Sequence, residues 1–384
     1  MPSALTAAEC RRRYAGAFRP KPWMYWGDFS LSAGVGWVAF ALSVHTPISP
    51  LYFLATLIAV IALLRAAIFI HELSHLKRGA VPGFETVWNL VIGIPFMLPS
   101  LMYVGSHGDH HRQSAFGTVN DPEYARLAHQ SRPQILGFVM GVIFVPLLLA
   151  LRWGLIGPLS FGIPPLRRIA VEHASSLVIN TAYRRPFPTG RATVRWWLQE
   201  IATATVFWGV IGAWMAEVVP VSWLIQWYVV SASILFINQV RTLAAHRYIN
   251  DGRTLTSVEQ LLDSINLAGW PIPTVLAAPV GLRYHALHHF LPAVPYHSLG
   301  ALHRRLLAEL PLDSPYHRTS RNGICSAIRS LIHSLTAAPA ATAASELPAS
   351  PKSTAPASDV PSVQCAPPYA APVSTTNRTA NRQT

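Results

Sequence analysis

The sequence predicts an all-α integral membrane protein, with at least four transmembrane helices in two hairpins and a helical cap on the cytoplasmic side that gathers a histidine-rich site. Three observations predict it. Of 384 residues, 51% are hydrophobic and only 12% are charged, whereas an average soluble chain is about one-quarter charged. The apolar residues fall into blocks close to the ~20 residues that cross the hydrocarbon of a bilayer. The histidines concentrate in three short clusters on the side where positive charge collects.

Taken in order, residues 1–27 are a basic segment holding Arg11, Arg12, Arg13, Arg19 and Lys21, without the apolar stretch of a cleavable signal peptide. Positive charge places this segment in the cytoplasm. The first hairpin pairs Phe29–Val44 with Leu51–Ile70 across the uncharged Thr46–Pro50, a tight turn on the far side. Lys77 and Arg78 mark its return to the basic side. Val87–Val104 is apolar but broken by Gly93, Pro95 and Pro99, which reads as a re-entrant or interfacial segment. Ile135–Phe161, interrupted by Pro146, Arg152 and Pro158, reads as a kinked span, a short hairpin or an interfacial helix. Six arginines between Pro164 and Arg195 place that loop in the cytoplasm. On that count the preceding block crosses an even number of times or not at all. The second hairpin pairs Ile201–Val219 with Trp223–Leu243 around Pro220. Residues 28–335 thus form one membrane domain. Residues 336–384, rich in Ala, Pro, Ser and Thr, are expected to be disordered.

The formal net charge of +13 invites a nucleic-acid reading, but no nucleic-acid motif accompanies it. Positive-inside loops and membrane lipids account for it instead. Cys10, Cys325 and Cys365 are too dispersed for a disulfide framework, a zinc ribbon or an iron–sulfur site.

The chemistry lies in three boxes. His71 and His75 form an HxxxH at the end of the second apolar block. His107, His110 and His111 form an HxxHH, and His285, His288 and His289 form another. On a helix, positions three or four apart share a face, about 5–6 Å from each other. Each box therefore aims two imidazoles at one point, and the extra ring of an HxxHH reaches a neighbouring point. With 16 histidines in 384 residues, chance gives about 0.03 HxxHH per chain, so two copies beside an HxxxH mark a metal site. Imidazole suits iron, zinc, copper and nickel alike. His71, Glu72 and His75 also match HExxH, in which Glu would be the general base of a zinc intramembrane protease. Asp263 is the nearest candidate for the further ligand such a protease needs, but its surroundings lack the Asn, Pro and Gly of that pattern, and two HxxHH boxes have no role there. A non-catalytic lipid-binding membrane protein would leave all three boxes idle.

In this order and between two hairpins, the boxes resemble those of the membrane fatty acid desaturase superfamily, over roughly Phe29 to Leu312. The resemblance implies two non-haem irons bound by histidine, with O2 as co-substrate. It implies a ninth ligand before the last box, where His246 stands. Glu72 and Asp109, inside the boxes, are expected to support the ligands. His173 is either a similar support or a surface residue. The implied activity is O2-dependent desaturation of a fatty acyl chain. The alternative is hydroxylation of a lipid, alkane or carotenoid. Electrons would come from a separate ferredoxin, rubredoxin or cytochrome with its reductase, since no flavin, nicotinamide or haem motif is present. The basic loop Arg167–Arg195 could steer an acidic donor.

Overall fold

The computed structural model describes residues 6–269 and 271–337. The expected disordered tail lies outside these residues, apart from its first two positions, which continue the last helix, Gly323–Ala337. Among the described residues the architecture is helical, with one pair of two-residue parallel strands, Asn266–Leu267 and Ser320–Arg321.

Four helices are long and apolar enough to cross a membrane: α1 (Pro22–His45), α2 (Pro50–His75), α4 (Arg132–Ser160) and α6 (Val221–Thr242). Between them lie the short α3 (Ser106–His110) and α5 (Arg191–Met215). Beyond them lie α7 (His285–Phe290) and α8 (Tyr296–Glu309). The protein is therefore an integral membrane protein with a helical cap built from α3, α7 and α8.

The first hairpin forms as its pattern predicts. Pro50 starts α2 and Ser49 caps it, accepting from Tyr52 N at 3.3 Å. Gly36 lets the two helices touch, because a Cβ there would lie 2.5 Å from Leu63 Cγ. Asp28 and Arg65 meet in two 2.6 Å hydrogen bonds, so each cancels the other's charge within the spans. Phe29, Phe69, Phe84 and Trp88 fill the core below the cap.

The expected second hairpin is rearranged. α5 and α6 follow one another in sequence, yet α4 packs against both. Gln239 donates to Phe138 O at 3.1 Å and Tyr228 to Ile143 O at 3.2 Å, tying α6 to the first half of α4. Trp208 donates to Gly154 O at 3.1 Å, tying α5 to its second half. The block expected to cross an even number of times or not at all is one continuous helix of spanning length, with a 3₁₀ turn at Gly141–Phe144 and a π turn at Arg152–Ile156. The block takes the form of a kinked helix, and charge counting is a weak guide to its crossing for a physical reason. Arg185 is buried and donates to Ser175 O and Val104 O. Arg152 and Arg167 both pair with buried Glu200, at 2.6 and 2.7 Å. Arginines held inside the fold say little about which side of the bilayer their loop occupies.

Candidate metal centre

His71 and His75 occupy the last turn of α2. Gly105, at φ 100°, swings the chain into α3, which carries His107 and His110 and is capped by His111. A helix as short as α7 is not stable alone. Ala286 and Leu287 anchor it against Leu299, Leu302 and Leu306 of α8, and Leu287 N donates to Asn266 Oδ1 at 3.1 Å. His246 follows α6 in an antiparallel bridge to Ser264.

These elements bring all nine histidines together in two groups. His71, His75, His107, His111 and His288 form one; His110, His246, His285 and His289 form the other. Within each group the nitrogens lie within 4.8 Å of one another. The shared pairs are the i, i+4 ones, and the middle ring of each HxxHH crosses over. The second box thus gives two rings to the first group and one to the second, and the third box does the reverse.

The spacing fits a metal. Nε2 to Nε2 separations are 3.0 Å for His107 and His111, 3.1 Å for His111 and His288, 2.9 Å for His246 and His285, and 3.1 Å for His285 and His289. Two imidazole nitrogens at right angles on a metal, each about 2.1 Å from it, lie about 3.0 Å apart. Both nitrogens of His71 and Nε2 of His75 are buried without a hydrogen-bond partner. Such an orphan costs about 1–3 kcal/mol unless something else engages it.

The outer nitrogens are held by carboxylates. His107 Nδ1 lies 2.6 Å from Glu123, which also accepts from the Tyr103 hydroxyl at 2.9 Å. His110 Nδ1 lies 2.8 Å from Asp121. His246 Nδ1 lies 3.3 Å from Asp263, to which Tyr124 donates at 3.1 Å. An Nδ1–H donated outward leaves the Nε2 lone pair facing the centre.

Burial first, then neighbouring imidazoles, pushes His107, His111, His285, His288 and His289 well below the usual histidine range. Burial also lowers His246, against the pull of Asp263. His110 is the exception. Burial lowers it too, but Asp121, Glu123 and Asp263 together raise it overall. Burial lifts Glu123 to about 7. Neutral imidazole is the form a metal takes.

The supports expected from sequence sit elsewhere. Glu72 is buried facing away from the rings, accepting from Tyr25 at 2.6 Å and from Tyr296 N at 3.2 Å. An i, i+1 neighbour of His71 leaves the helix on another face. Asp109 pairs with Arg112 at 2.6 Å and accepts from Tyr183 at 2.7 Å. His173 is exposed at the rim of a cavity. The carboxylates that do meet the rings are Asp121, Glu123 and Asp263. The first two lie just beyond the second box. The third, Asp263, lies far along the chain and outside any box.

A cavity of about 600 Å³ opens on both groups, through His71 on one side and His110, His246 and His285 on the other. Ile68, Ile70, Met102, Val142, Val145 and Leu149 give much of its wall an apolar surface.

Membrane spans ending in two all-imidazole groups, beside an apolar cavity, define the histidine-box class of membrane oxidoreductases. The fatty acid desaturase family matches residues 47–320. The chain belongs to that family and is an oxidoreductase of its desaturase and hydroxylase kind. A ceramide hydroxylase of Caulobacter vibrioides (strain NA1000 / CB15N) is 41% identical over 312 residues, covering 81% of this chain and 89% of that protein. No solved structure matches the chain.

Proposed function

We propose that this chain is an iron- and O2-dependent hydroxylase of a ceramide-type membrane lipid. The observation that carries the choice of reaction is the 41% identity to a ceramide hydroxylase over nearly the whole of that protein. It favours hydroxylation over the desaturation expected from the boxes alone. The two histidine groups and the apolar cavity suit either reaction.

The nine histidines would hold two irons, which supply the activation of O2 when bound. In the overall reaction one C–H bond of the lipid becomes C–OH. The second oxygen atom leaves as water, with two electrons from an external donor and two protons from solvent. The chain's own part is placement and shielding. Glu123, Asp121 and Asp263 fix the rings of His107, His110 and His246. Met102, Ile70 and Val142 give the chain of the lipid a dry wall.

In this reading the boxes face the cytoplasm, since exposed Lys77 and Arg78 lie two and three residues after His75. The donor is a separate ferredoxin, rubredoxin or cytochrome. The loop once expected to steer it has less free charge than its sequence suggests, with Arg167 and Arg168 paired to Glu200 and Glu172 and Arg185 buried.

The test is lipid mass spectrometry in a host expressing wild type or His288→Ala. A ceramide one oxygen heavier, absent with the variant, is expected. A product two hydrogens lighter would return the reading to desaturation. Purified wild type should carry two irons per chain and the variant fewer.

A further inference from the structure

The cavity wall is not uniform. Along α6, facing residues run from Ser231, Ile234 and Leu235 to Asn238, Gln239, Arg241 and Thr242, and then to Ala245 and His246. Along α2 they run from Leu64 and Ala67 to Ile68, Ile70 and His71. A smaller apolar pocket of about 70 Å³ shares Ile68, Ile70, Leu149, Leu177, Leu235 and Asn238 with the main cavity. It continues toward Trp88, Ile92 and Phe96. Away from the imidazoles the lining of both helices is apolar apart from Ser231. On α6 it turns polar within about two turns of the ring of His246.

Two arginines line the cavity, and they differ in how their charge is met. Arg152 is paired with Glu200 at 2.6 Å and also donates to Ala174 O at 2.9 Å and to Ser175 Oγ at 3.0 Å, although its Nη1 is buried without a partner. Arg241 has no carboxylate within ion-pair distance among the described residues. Its hydrogen bonds go to Asn238 Oδ1 at 3.0 Å and Thr242 Oγ1 at 3.2 Å, on its own helix, and its Nε is buried without a partner. It lines the same cavity as His246 and His285. A buried guanidinium without a salt-bridge partner, in a cavity whose wall is largely apolar, is costly unless an acceptor completes it. Arg is also the side chain best suited to bind an oxygen at a fixed angle.

From this placement, and resting on the hydroxylase reading above, we propose that Arg241 binds an oxygen of the substrate's polar head. The carbon oxidised then lies within a few bonds of that head, and the hydrocarbon tail runs away from the imidazoles into the apolar pocket. Arg241 is a specificity-determining residue in this arrangement, and Asn238 holds its guanidinium in position. A mid-chain enzyme would need the opposite wall, apolar beside the imidazoles and polar far from them. The oxygen could be the amide or hydroxyl of an N-acylated sphingoid base, or the carboxylate of a free long-chain acid.

Purified, iron-loaded wild type, Arg241→Met, Arg241→Lys and Asn238→Ala would each be given a C16 ceramide or a C16 fatty acid, with a reducing system, and products mapped by tandem mass spectrometry. The expected wild-type product carries its new group within about three carbons of the polar head. Whichever of the two lipids is oxidised identifies the head. Arg241→Met should raise KM tenfold or more or scatter the position of attack, with iron content unchanged, and Arg241→Lys should recover part of the loss. The same lipid should raise the Tm of wild type in detergent but not that of Arg241→Met, a readout that needs no turnover. Attack in mid-chain by wild type would overturn the proposal while leaving the hydroxylase reading intact. So would Arg241→Met and Asn238→Ala keeping wild-type position, KM and lipid-induced Tm shift. An alkene formed next to the head would do the reverse, sinking hydroxylation and keeping the head-group site.

Discussion

Among the clustered rings, His110 alone is held in its protonatable range, because three carboxylates outweigh its burial. The other rings of the cap titrate the opposite way, and this fixes a pH dependence. The folded pKa values of His107, His111, His285, His288 and His289 lie well below 6.5. Below pH 6.5 the unfolded chain therefore binds more protons than the folded one, and stability falls as pH falls. His110, raised, contributes in the other direction, with stability present below pH 6.5 and lost as pH rises through its folded value. His246 is lowered as well, and the raised Glu123 acts with His110, so six rings against two groups decide the sign. Metal-stripped protein should show a falling Tm from pH 7 to pH 5 in a detergent melt. Carboxylate partners can be tested separately. Glu123→Gln and Asp121→Asn should each weaken iron binding about 10–100-fold, measured by competition with a chelator. At this scale the rings themselves were legible, since HxxxH and HxxHH need only helical spacing. The carboxylates were not, because Asp121 and Glu123 reach the rings from a loop and Asp263 from the end of a short helix, Ser257–Asp263, placements that no fixed spacing encodes. The sequence drew attention instead to Glu72 and Asp109, which share the boxes but point elsewhere.

At the scale of elements, close approach of α1 and α2 depends on Gly36. Gly36→Val should overpack the crossing against Leu63 and cost about 1–3 kcal/mol, seen as a lower Tm with no change in the iron content of the folded fraction. The first hairpin could be read from sequence because hydropathy and turn chemistry agree there. The region from Arg132 to Met215 could not. α4 carries a buried arginine, prolines and a π turn, and its partner Glu200 lies on a helix far along the chain. A window of sequence cannot tell an arginine in water from one neutralised across a helix interface.

For the whole molecule, metal and fold are one equilibrium. Stripping the metal with a chelator should lower Tm, and restoring Fe²⁺ under anaerobic conditions should raise it again, since a ligand bound only by the native state stabilises that state. The crossing-over of His110 and His288 shapes how that restoration proceeds. Each HxxHH helix has a finger in both groups, like two hands interlaced. An ion entering either group therefore draws α3 and α7 together and orders rings belonging to the other, so the second ion finds its ordering cost already met. Titration of the stripped protein with Fe²⁺ should be sigmoidal, passing from empty to doubly loaded with scarcely any singly loaded species in native mass spectra. Two separable sites would fill stepwise. Two buckled into one another make the pair, rather than the ion, the unit that is gained or lost.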